Sequence, residues 1–183
     1  MNTFKKGFTL IELLVVIAIL AVLATVIVVI INPAQLLRQA RDTTRISDLA
    51  ALNSAIALYL SDVAAPSLGT TTNANCTVGT TSPFTITPCV TNATTSVNGT
   101  GWIPVDFTGI SSGSPLSRLP LDPTQVAPFF YAFAWDTPNL RYEIDAKMES
   151  DKYATTTATS VMKNSYDGGN NANYYEVGNY LTL

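Results

Sequence analysis

Lys5-Lys6-Gly7-Phe8-Thr9-Leu10-Ile11-Glu12-Leu13-Leu14 opens an almost uninterrupted apolar run that lasts to Ile31, and this stretch decides how the chain is organised. A basic start before an apolar run resembles a secretory signal at first sight. An ordinary signal, however, carries an apolar region of about 7–15 residues followed by a small-x-small cleavage site. Here the run lasts about 24 residues, has no such site and continues into a helical pattern, so its length predicts a membrane-spanning helix. Lys5 and Lys6 would keep its N-terminus in the cytoplasm and place the rest of the chain outside.

Glu12 is the exception within that run. An acidic side chain in a spanning helix costs about 2.5–3.5 kcal/mol at mid-membrane, less near the interface, and marks a functional position by default. The nearest cation it could meet is the backbone amine that a cut just before Phe8 would create. In the uncut chain that amine does not exist, so Glu12 is expected to be without a partner there.

Lys5-Lys6-Gly7-Phe8-Thr9-Leu10-Ile11-Glu12 resembles the processing site of type IV pilins and type II secretion pseudopilins. The resemblance implies cleavage between Gly7 and Phe8 by a membrane-embedded prepilin peptidase, followed by N-methylation of Phe8. It also implies that Phe8 and Glu12 act in assembly, the Glu12 carboxylate pairing with the Phe8 amine of a neighbouring subunit. On this reading the chain divides into a leader (1–7), a transmembrane and filament-core helix (8–31), an amphipathic half-helix (32–64) and a globular head (65–183). The partners would be further copies of the chain in a helical homopolymer or mixed filament, the peptidase, a membrane platform with its assembly ATPase, and lipid before assembly. The location would be the cytoplasmic membrane, single pass with the head outside, then an extracellular filament. A pseudopilin of a secretion or DNA-uptake system is the nearest alternative. A membrane-tethered surface module that binds a ligand and never polymerises is an alternative of another class.

Asn32-Pro33 closes the apolar run. Proline either kinks a helix or starts a new one as its first residue, and both outcomes stand open here. Beyond it, Leu49, Leu52, Ile56, Tyr59, Leu60 and Val63 recur at steps of three and four, which predicts one apolar stripe on a helix reaching about Asp62. Arg38, Arg41, Asp42, Arg45 and Asp48 precede the stripe. They read either as contacts to adjacent subunits or as a solvated face.

Gly69 to Gly101 is dense in Thr, Ser, Asn and Gly and reads as loop, with a short strand at Phe84–Thr87. Its Cys76 and Cys89 lie outside the membrane in a turn-rich segment, which suits a disulfide in an oxidising compartment. Asn75, Asn92 and Asn98 each stand in an Asn-x-Thr sequon. Strands are expected at Trp102–Phe107, Phe129–Trp135, Arg141–Met148 and Tyr174–Leu183, the second and third joined through Asp136-Thr137-Pro138-Asn139. The predicted fold is α+β and pilin-like. A long N-terminal helix keeps its apolar half exposed or in the membrane, and its amphipathic half packs on a C-terminal antiparallel sheet.

The remaining chemistry is sparse. The chain has no histidine, two cysteines and a net charge of −3, and no basic cluster of the kind nucleic acid binding requires. No nucleophile elbow or phosphate loop occurs, so no catalytic residues are assigned and an enzyme is not expected. Glu143 and Asp145 share a strand face and read as an exposed acidic edge. Leu119-Pro120-Leu121-Asp122-Pro123 is similar to a motif of the major secretion pseudopilins, without its aromatic-glycine continuation. Ser165-Tyr166-Asp167-Gly168-Gly169-Asn170 resembles the calcium loop of those proteins. Only Asp167, with Asp151 or Glu176 nearby in the chain, supplies carboxylates there. A glycine-rich turn without metal or other cofactor is therefore expected, Asp167 being the one candidate calcium ligand.

Overall fold

A computed structural model describes residues 7–79, 81–86, 88–154 and 167–183. The chain divides between Leu37 and Arg38 into two compact units.

The first unit is dominated by α1, Leu10–Ile31, which is 22 residues long, or about 33 Å at 1.5 Å per residue. Every described side chain from Phe8 to Ile31 is exposed. The hydroxyl of Thr25, a polar group in mid-helix, donates to the carbonyls of Ala21 (2.8 Å) and Val22 (2.9 Å), so it needs no outside partner. The helix ends where Asn32 turns left-handed, with φ at 46°. Pro33 then opens α2, Pro33–Asp62. Of the two outcomes left open for Asn32-Pro33, the chain takes the stop and restart. A first-turn proline loses no hydrogen bond, because its N–H would have been unpaired anyway. The Asn32 carbonyl accepts from the N–H groups of Gln35 and Leu36 at 3.0 and 3.3 Å, which fastens the new first turn.

In the second unit, α2 buries Leu49, Leu52, Ala55, Ile56 and Tyr59 along one stripe, with Leu60 and Val63 packed at its margin. The stripe lies against a five-stranded sheet in the order β2-β1-β3-β4-β5. The strands are β1 Asn73–Cys76, β2 Val90–Thr91, β3 Tyr131–Asp136, β4 Arg141–Ala146 and β5 Tyr175–Gly178. Among the described residues, only the β1–β2 pair is parallel. The result is the expected α+β arrangement, a long N-terminal helix whose second half packs on a mostly antiparallel sheet. Alternation sends Tyr131, Phe133 and Trp135 of β3 with Tyr142, Ile144 and Ala146 of β4 towards α2. Tyr131 and Tyr142 cross this core and donate their hydroxyls to Asp48 (2.8 Å) and Asn53 (2.7 Å) on the helix. The opposite face carries Ala74, Cys76, Ala132 and Ala134, covered by Phe84, Cys89, Phe130 and Leu183 in a second, smaller core.

Two strand expectations fail. Trp102–Phe107 is not a strand, although Trp102, Ile103, Val105 and Phe107 are all buried. The aromatic and branched residues there signalled burial rather than pairing, and Pro104 in their midst cannot donate to a ladder. The segment is tied down instead through Trp102, whose N–H donates to Thr94 and whose Nε1 donates to the Pro120 carbonyl. Phe84 to Ile86 is likewise bend rather than strand, and Thr87 lies outside the described residues. The Gly69–Gly101 segment, read as loop, contributes β1 and β2.

Candidate functional site

The first turn of α1 closes on itself. Thr9 is the N-cap, and its hydroxyl accepts from the Glu12 N–H at 3.3 Å. In return the Glu12 carboxylate accepts from the Thr9 N–H (2.8 Å) and the Thr9 hydroxyl (2.7 Å), both through Oε2. This reciprocal capping box satisfies two of the N–H groups that a helix start leaves unpaired, and a carboxylate here also meets the positive end of the helix dipole. The expectation that Glu12 has no partner in the uncut chain is therefore corrected. Thr9-Leu10-Ile11-Glu12 carries the S/T-x-x-E pattern, so the signal stood in the sequence. Phe8 is 85% exposed just before the cap, and Gly7 is exposed beside it. α1 is long and apolar enough to cross a membrane.

Residues 3–28 match the prokaryotic N-terminal methylation motif. That motif is the class III signal peptide type found in type IV pilins and pseudopilins. No curated protein and no solved structure matches the chain at a significant level. The motif supports a pilin-like or pseudopilin precursor. It implies processing by prepilin peptidase and assembly into pilus-type filaments, and the apolar helix fits a membrane anchor.

The charges early in α2 of this pilin-like chain are neither a solvated face nor a free contact surface. Asp42 and Arg45 are fully buried. The Arg45 guanidinium donates to Asp122 Oδ2 at 2.6 Å and Oδ1 at 3.0 Å, to Asp42 Oδ1 at 2.7 Å and to Glu149 Oε1 at 2.9 Å. Arg41 grips the same Glu149 at 2.5 and 2.8 Å. Asp42 also accepts from the backbone of Glu149 and Ser150. The Leu119–Pro123 motif thus supplies, through Asp122, the forked partner of a buried arginine. Only Arg38 of the group is largely exposed.

Cys76 and Cys89 are joined by a disulfide that ties β1 to the segment before β2. Of the sequon asparagines, Asn75 is buried with its amide on the Trp102 carbonyl, and the Asn92 amide donates to Gly101. Asn98 is exposed.

Ser165 and Tyr166 of the calcium-like segment lie outside the described residues. Asp167 accepts from the Gly169 N–H at 3.1 Å and from the Glu176 N–H at 3.4 Å, an arrangement of turn and strand end. The acidic edge is not an edge either. Glu143, Asp145 and Glu176 are 2%, 1% and 2% exposed. Alternation placed Glu143 and Asp145 on one face correctly, but the cover over that face comes from distant segments. Burial pushes the pKa of each of the three upward and takes Glu176 to about 8, with repulsion from the neighbouring carboxylates adding to the rise at Asp145 and Glu176.

Proposed function

We propose that the chain is the precursor of a structural subunit of a type IV pilus-like filament. Prepilin peptidase hydrolyses the Gly7–Phe8 bond on the cytoplasmic side, releasing residues 1–7, and a methyl group is added to the new Phe8 amine. The match of residues 3–28 at the head of a helix whose described side chains are all exposed carries this reading. An apolar surface of that extent must be covered, by lipid first and by α1 of other copies once a platform and its ATPase extrude the subunit. Lys5 and Lys6 set the orientation.

The capping box bears on how Glu12 would take part. Both Thr9 contacts fall on Oε2, which leaves Oε1 for the ammonium of a neighbouring Phe8. A charged pair inside an apolar bundle offsets a desolvation that neither group could bear alone.

The intact mass of chain recovered from cells should show loss of Met1–Gly7 and gain of one methyl. An uncut N-terminus in cells with active peptidase would sink the proposal. Glu12→Gln keeps an acceptor for the Thr9 cap and removes only the charge. It should insert normally yet be strongly depleted from sheared filaments; incorporation equal to the wild type would remove the ion-pair role. Abundant long fibres in the sheared fraction support a pilus subunit, whereas retention in the membrane indicates a pseudopilin or a tethered module.

A further inference from the structure

Glu143 and Asp145 are two apart on β4, and the β4–β5 register sets Glu176 directly opposite Asp145. All three side chains therefore rise from one face of the sheet. One carboxylate oxygen from each lies within 4.8 Å of one from each of the others. Like charges directly across a ladder repel, and buried ones repel more strongly because little water screens them.

The three are not equally provided for. Glu176 accepts from the N–H groups of Asn170 (3.3 Å) and Asn171 (3.0 Å to Oε2). The Gly169 backbone packs so close that a Cβ there would fall 1.9 Å from its Oε2. Glu143 accepts from the Leu183 N–H at 2.8 Å. Asp145 is the least provided for: both of its oxygens are buried without a hydrogen-bond donor among the described residues. Across the ladder on the β3 side stand Ala132 and Ala134, which offer no polar atom beyond the backbone. Among the described residues, the ion pairs formed by arginine involve Asp42, Asp122 and Glu149, and none reaches this cluster.

We propose that Glu143, Asp145 and Glu176 bind one hard divalent cation of about the size of calcium, with the Asp145 carboxylate as its central ligand. Carboxylate oxygens are the ligands such an ion prefers, at about 2.3–2.6 Å. Oxygens on opposite sides of a calcium ion stand roughly 4.6–5.2 Å apart at most, and the three here fall inside that limit; magnesium dehydrates reluctantly and is seldom held by an all-protein cage. The ion supplies the positive charge the cluster lacks and gives the Asp145 oxygens their missing partner. A cleft lined by Asp167, Tyr175, Glu176 and Leu181 opens beside it and offers an entry path. This site lies within the second unit and does not depend on the filament reading above.

The test uses the full chain in detergent micelles, freed of metal with a chelator and titrated with calcium chloride to well above about 1 mM, the weak end of protein calcium sites. Calorimetry should find one calcium per chain, and the melting temperature should rise with calcium concentration. Asp145→Asn keeps the shape, removes the uncompensated charge and should melt no lower than the chelated wild type. Its calcium affinity should fall by more than about tenfold, the least expected when even an outer partner of a metal ligand is lost. Glu143→Gln provides the same readout should Asp145→Asn not fold. A wild-type chain that neither binds calcium nor melts higher with it overturns the proposal, as does binding that survives in both variants.

Discussion

Replacing Arg45 with alanine is expected to destabilise the second unit by about 3–5 kcal/mol, the loss seen when one partner of a buried ion pair is removed. Three carboxylates would be left facing a vacated space. Asp122 loses its forked partner, Asp42 keeps only the backbone N–H groups of Glu149 and Ser150, and Glu149 retains Arg41. The Arg45 guanidinium also lies 5.2 Å from the centre of the Phe129 ring, and alanine would abolish that cation–π attraction as well. Urea unfolding of the full chain in detergent, followed by the fluorescence of Trp102 and Trp135, measures the change. A midpoint shift equivalent to less than about 1 kcal/mol, the range of exposed pairs, would show that the cluster is no more than a surface interaction.

Acid should reach the same ion pairs by another route. Burial pushes the Asp122 carboxyl up, but the hydrogen bonds and charge of Arg45, with those from Thr124, outweigh it and hold it below its ordinary value. Hydrogen bonds from Arg41 hold Glu149 down in the same sense. A depressed carboxyl adds stability above its unfolded pKa and loses it as pH falls through the folded one. The wild type should therefore lose this part of its stability below about pH 4, and Arg45→Ala should show a flatter profile there.

Cleaving the Cys76–Cys89 bond should have the next largest effect. The two cysteines are 13 positions apart, and closing a loop of about that length contributes roughly 3 kcal/mol in the chain-entropy model. The local structure gives the loss a place to appear. β2 is two residues long and pairs only with β1, through Asn75–Val90 and Cys76–Thr91. Cys76 and Cys89 themselves pack beside Phe84, Ala132 and Leu183. Reduction, or the double change Cys76→Ser and Cys89→Ser, should lower the unfolding midpoint and expose the amides of Val90 and Thr91 to hydrogen exchange first. An unchanged midpoint once both thiols have been shown to be free would remove the disulfide from any account of stability.

What the sequence made legible follows its periodicities. The apolar run of α1, the stripe from Leu49 to Tyr59, the β3–β4 hairpin and the start of β5 all repeat at the spacing of their element. β1 was hidden because Asn73-Ala74-Asn75-Cys76 contains no branched or aromatic residue; it is a strand because β3 and β2 flank it. At Trp102–Phe107 the composition spoke for burial, and Pro104 should have spoken against a ladder. The Thr9–Glu12 cap needed only a pattern four residues long, whereas the setting of Arg45 could not be read locally. Its partners Asp122 and Glu149 lie 77 and 104 positions away. The burial of Glu143 and Asp145 was hidden for a similar reason, since part of what covers their face is Leu183 at the far end of the sequence.

That distance also sets a schedule. A ribosome adds about 5–20 residues per second, so Glu149 follows Arg45, 104 positions ahead of it, after roughly 5–20 s. For that interval the arginine and the apolar stripe of α2 have no sheet to fold against. Strand β5, which supplies Glu176 to the carboxylate cluster, arrives later still. Until the last of the described strands emerges, the stripe of the nascent helix stays uncovered, an exposure imposed by the topology of the head.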